Sequence, residues 1–137
     1  MNLLMRKAVV VCCCLFAGSA YADGVRGDVQ RGPAGITTGQ PLLNARATLI
    51  KHGWKPVRRH ADDGYEYSGA ELELTARKIF EVDSCSSDSA RCVLFYEKKG
   101  DCLRMDTIGE RLKWMTVTRW VSECPDAPPR RSGTGGA

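Results

Sequence analysis

Apolar residues recur along this chain with two different periods, and the change of period divides it. Between residues 41 and 52, PLLNARATLIKH, Leu42, Ala45 and Leu49 share one helical face, and Leu43, Ala47 and Ile50 lie beside it. That spacing predicts a helix. Pro41 suits the first turn, where its missing N–H costs nothing. Gly53 is placed as a left-handed stop, and Pro56 blocks continuation. Trp54, just past the stop, is expected to fold back onto the apolar stripe. Residues 55–67 are polar, with turn residues at Asp62-Asp63-Gly64, and read as a loop or a short β excursion through Tyr65 to Tyr67. Residues 68–82 predict a second helix. Ser68 and Glu71 stand at the spacing of a capping box, with Glu71 reaching back to the Ser68 amide. Leu72, Ala76, Ile79 and Phe80 form its stripe. A strand from Glu71 to Leu74, with Leu72 and Leu74 alternating with glutamates, is the competing reading, and helix is preferred.

Beyond this point the period falls to two. Residues 91–98, RCVLFYEK, predict a strand that is apolar on both faces, and Lys99-Gly100-Asp101 its turn. Residues 102–108 predict a second strand, with Leu103 and Met105 facing one way and Arg104 and Asp106 the other. After a turn at 109–111, residues 114–122 predict a third. There Met115, Val117 and Val121 alternate with Trp114, Thr116, Thr118 and Trp120. The fold class is α+β: two helices packed on an antiparallel β-meander of three to four strands.

The flanks lack either period. Residues 1–22, MNLLMRKAVVVCCCLFAGSAYA, have the three parts of a signal peptide: Arg6 and Lys7, an apolar run from Ala8 to Ala17, and the small-residue site Ala20-Tyr21-Ala22. Ten apolar residues rise only about 15 Å as a helix, too short for ~30 Å of hydrocarbon. Cleavage is expected after Ala22, giving a periplasmic or secreted protein with no stable membrane span in the mature chain. A lipid on one of Cys12 to Cys14 is the minor alternative, because no Gly, Ala or Ser precedes any of them. Residues 23–40 and 125–137 are rich in glycine and proline and read as a flexible lead-in and a disordered tail. The domain is residues 41–124. Arg6 and Lys7 are the only charged residues of the leader, so the net charge falls from +4 to +2 without it. That balance gives no electrostatic case for nucleic acid.

Of seven cysteines, four lie outside the leader: Cys85, Cys92, Cys102 and Cys124. An even number in a short exported chain implies disulfides. A hairpin turning at residues 99–101 puts Cys92 near Ile108, several residues along the ladder from Cys102 and beyond the ~7 Å Cα limit for a bridge. Cys124 returns beside Cys102, and Cys85 and Cys92 flank the short loop SSDSAR. The expected pairs are therefore Cys85–Cys92 and Cys102–Cys124. They contribute ~2.5 and ~3.4 kcal/mol in the loop-entropy picture.

No C-x-x-C remains outside the leader, and the cysteines flank strands rather than a helix N-terminus. This argues against redox or zinc chemistry. His52 and His60 share no helical face and have no acidic ligand pair, so no metal or cofactor is expected. No G-x-S-x-G or local triad signature occurs, and no catalytic residue is assigned. The basic cluster Lys51, His52, Lys55, Arg58, Arg59 and His60 reads as a solvated loop after a helix C-terminus, with an acidic partner as the alternative. The aromatics of the third strand carry the functional expectation. Trp114 and Trp120 share parity, with Arg104 joining them on a face turned away from the helices. Tryptophan and arginine are residue types that anchor interfaces. The opposite register would place the tryptophans on the core side.

The runs NARATLIKHGWKPV, KIFEVDSCSSDSARCVLFYEKKGDCLRMDTIGE and TRWVSEC resemble a group of small exported bacterial proteins without assigned activity. The resemblance spans Asn44 to Cys124. Its order of helix, paired cysteines and meander is also similar to β-lactamase-inhibitor-like and outer-membrane-assembly lipoprotein units. It implies an α+β fold that binds a protein partner through its sheet. The expected function is a non-enzymatic protein-binding module, an inhibitor or envelope accessory. The alternatives are a small envelope hydrolase near His60, Asp62 and Asp63, and a structural stress factor.

Overall fold

A computed structural model describes residues 30–127. Helices α1 (Leu42–Lys51) and α2 (Ala70–Ala76) pack on a five-stranded antiparallel sheet made of β1 (Lys55–Pro56), β2 (Val82–Cys85), β3 (Arg91–Lys98), β4 (Asp101–Ile108) and β5 (Thr116–Val121). Strands β3, β4 and β5 form the meander. The outer edge of β3 is shared: β1 pairs with Tyr96 and Glu97, and β2 with Cys92 to Leu94. The core lies between helices and sheet, where Leu42, Leu49 and Leu74 meet Leu94, Tyr96, Leu103, Met105 and Val117. Among the described residues no helix is long and apolar enough to cross a membrane.

Helix α1 buries the stripe its spacing predicts, Leu42, Ala45 and Leu49. Gly53 takes the left-handed conformation, φ 88°. This turns the chain so that the Trp54 N–H donates to the Leu49 carbonyl at 3.1 Å, and the indole packs against the core.

Helix α2 is shorter than residues 68–82 predict. Lys78 at φ 62° reverses the chain, and the Ile79 N–H bonds back to the Leu74 carbonyl. Ile79 then enters the core from the turn that leads into β2, whose first residue Val82 is buried as well. The predicted stripe is also rotated. Glu71 is buried and Leu72 is 57% exposed. The Glu71 carboxylate does reach back to the Ser68 amide at 3.0 Å, but it also accepts from the Tyr65 hydroxyl at 2.9 Å and the Cys85 N–H at 2.7 Å. These donors draw Glu71 inward, and a residue one step on, about 100° round the helix, must then face out.

Residues 30–40, expected within a flexible lead-in, form part of the domain. Ile36 is fully buried. A 3-10 turn at Pro33–Gly35 precedes it. The chain then runs along β5, with Gly39 N–H donating to Val117 O at 2.7 Å and Val117 N–H to Gln40 O at 2.9 Å. One buried isoleucine and backbone pairing hold this segment, and neither leaves a periodic trace in the sequence. At the other flank, Arg59 donates to the Asp126 carbonyl. The signal-peptide reading lies outside the described residues, as do residues 23–29 of the lead-in and 128–137 of the tail.

Both expected disulfides are present, Cys85–Cys92 and Cys102–Cys124. The hairpin register places Cys92 opposite Thr107, one residue from the expected Ile108, which keeps Cys92 far from Cys102.

Candidate functional site

Strand β5 carries one extra residue. Thr107 pairs with Val117 and Asp106 with Arg119, leaving Thr118 as a bulge whose hydroxyl donates to the Asp106 carbonyl. A bulge breaks the alternation of side chains. Val117 faces the core, and Trp120, opposite the buried Met105, faces the helix side as well. The expected far-face pair of Trp114 and Trp120 is therefore corrected on both counts. Trp114 lies off the sheet in the 3-10 turn Leu112–Trp114. It is 61% exposed and has the Lys113 ammonium 4.2 Å above its ring. Arg104 does lie on the far face. There it is held by Asp106 at 2.7 Å and Glu123 at 3.1 Å, and Asp106 also takes Arg119. These two carboxylates raise the Arg104 pKa further above its ordinary value, chiefly through the Asp106 hydrogen bond. Its guanidinium ties β4 to Glu123 in the segment that follows β5, while Arg119 of β5 reaches the same Asp106.

What the bulge brings together instead is Trp120 and Trp54. They line an open groove of about 500 Å³ with Arg31, Gly32, Asp101 and Leu103. Gly32 lies against the Trp120 ring. A Cβ there would fall 2.4 Å from Trp120 Cε2, so only glycine allows the indole its place. Arg31 and Asp101 have no side-chain ion pair or hydrogen bond among the described residues. The disulfide from Cys102, a lining residue, to Cys124 fixes the chain just past Ser122. Trp54 and Trp120 were visible in the sequence as aromatics. Arg31 and Gly32 sit in a stretch whose composition resembles a linker, and nothing in it announces a groove wall.

The His60 cluster is built differently. His60 Nδ1 lies 2.6 Å from Asp63 Oδ2, and Nε2 donates to the Asp83 carbonyl at 2.6 Å. The ring stacks on Tyr65 with centroids 3.7 Å apart, and Tyr67 meets both rings edge-on. The Tyr65 hydroxyl donates a hydrogen bond to the buried Glu71. Partial burial, then this bond, pushes the phenol up to about 12. Asp63 is held below its ordinary value, chiefly by the bond to His60. A general base needs a ring nitrogen turned toward substrate, and both nitrogens of His60 are engaged within the protein. Of the wider basic cluster, Arg59 pairs with Asp83 at 2.7 Å and Arg58 lies over the Phe80 ring. Among the described residues no group of three His, Cys, Asp or Glu side chains is arranged to hold a metal ion.

No known protein family, curated protein or solved structure is detectably similar to this chain.

Proposed function

We propose that this protein is an exported, non-enzymatic protein-binding module that meets its partner at the open end of the β5 edge. One observation carries the reading: an exposed groove floored by two tryptophans beside a sheet edge that the protein's own chain covers only in part. Tryptophan supplies large apolar area at low entropic cost, and unpaired charge at the rim adds direction. The two disulfides support a periplasmic or secreted setting, since such bonds persist in oxidising compartments.

The test is photo-crosslinking in the producing cell. Benzoylphenylalanine at Ser122, beside the groove, is expected to give adducts of defined mass. The same probe at Leu43, an exposed position on α1, gives none. Adducts at Leu43 alone, or none from Ser122, would overturn the reading.

A further inference from the structure

We infer that the partner enters this groove as an extended strand, pairing its backbone with Trp120 and setting an apolar side chain between Trp54 and Trp120. This deepens the protein-binding reading above and rests on it. The first observation is backbone direction. On an antiparallel ladder successive residues turn their N–H and C=O alternately toward and away from the neighbouring strand. Val117 turns both groups away from β4, onto Gly39 and Gln40. Its partner Thr107 therefore opens a count along the unbulged β4, in which Asp106 faces β5, Met105 does not and Arg104 does. Trp120, opposite Met105, consequently turns its N–H and C=O outward, off the sheet.

Nothing in the described chain takes that position. The segment that covers Val117 leaves the edge before Trp120, because the 3-10 turn at Pro33–Gly35 carries it away and back to Gly32 against the indole face. An outward donor and acceptor on an edge strand form a template for another strand. The second observation is charge. Arg31 and Asp101 line the same groove without ion-pair partners among the described residues. A strand that fits therefore carries a carboxylate for Arg31 and a cation for Asp101, flanking the apolar residue.

Phage-displayed twelve-residue peptides panned on residues 23–137 with both disulfides formed would supply the probe. Selected peptides are synthesised with each amide N-methylated in turn and titrated by tryptophan fluorescence. The expected result is that one or two N-methyl positions, spaced two residues apart, weaken binding about tenfold, as loss of a single backbone hydrogen bond would. Arg31→Glu should weaken it by a similar factor, and Leu43→Ala should leave it unchanged. No enriched peptide, or peptides indifferent to N-methylation at every position, would overturn the strand mode. Crosslinks at Ser122 together with N-methyl indifference would leave a protein partner and remove only the strand. Absence of both would remove the function as well.

Discussion

The two edges of this sheet hold the same kinds of residue in opposite states. At the β2 edge, His60, Tyr65, Glu71 and Arg59 surround a strand whose Asp83 carbonyl and Cys85 amide are taken by His60 and Glu71, and their polar atoms are engaged within the chain, with Tyr67 packed edge-on beside them. At the β5 edge, Trp54, Trp120, Arg31 and Asp101 surround a strand covered only as far as Val117, and the two charges point at no partner among the described residues. Aromatic, acidic and basic residues therefore do not by themselves mark a binding surface. What separates the internal scaffolding from the proposed docking seat is whether the hydrogen-bonding capacity is already spent inside the chain.

The largest effect should come from breaking the closed edge. Glu71→Ala strands the Cys85 and Ser68 amides and the Tyr65 hydroxyl, with the residue itself 1% exposed. Leaving a buried donor unmet costs about 1–3 kcal/mol; these three are only partly buried and water can reach them, so urea unfolding should show a loss near the low end, about 3 kcal/mol in all. A loss below about 1 kcal/mol would mean the cluster does not hold the fold. Next is Gly32→Val on the open edge. The new side chain must expel the Trp120 ring, and overpacking of this sort costs about 1–3 kcal/mol. Tryptophan emission should move to the red in the folded variant. An unmoved spectrum would mean the indole does not sit on Gly32.

The pH dependence sharpens the contrast, because it belongs to the closed edge. Tyr65 has a folded-state pKa raised from 10.0 to about 12. Its contribution is complete below pH 10.0 and is lost as pH rises toward about 12, where the unfolded chain ionises first. Asp63 has a lowered folded-state pKa, so its contribution is present above its ordinary 3.8 and is lost as pH falls through the lower, folded value. Stability curves of Tyr65→Phe and Asp63→Asn should be flatter than wild type at the alkaline and acid ends respectively. Curves that parallel wild type would refute the assignment. Smallest of all is Trp114→Ala. The ring is mostly exposed and carries the Lys113 ammonium over its face, so the change should stay below about 0.5 kcal/mol. A larger loss would mean that the ring packs on the domain.

Most of the frame was legible from residue spacing. The α1 stripe, the β3–β4 hairpin and both disulfides follow from periods of 3.6 and two, and from the turn at Gly100. The site was legible only as residue types. A single inserted residue, Thr118, decides which face Trp120 takes, and no side-chain property of threonine signals a bulge. The bond from the Ser68 amide to Glu71 was legible in their spacing, although the helix caps at Gly69 rather than Ser68, and the burial of Glu71 depends on Cys85 and Tyr65, whose arrival is tertiary. Ile36 and Gly32 were hidden in a glycine-rich stretch because backbone pairing and one close contact, rather than an apolar pattern, fix that segment.

The central claim is that the β5 edge is closed at Val117 and open at Trp120. Amide hydrogen exchange on the isolated folded protein tests it directly. The Val117 N–H, bonded to Gln40, should exchange slowly, and the Trp120 N–H should exchange at least about a hundredfold faster, near the rate of a solvent-facing amide. Equal protection at the two positions would show that the chain already covers this edge and would contradict the proposed site.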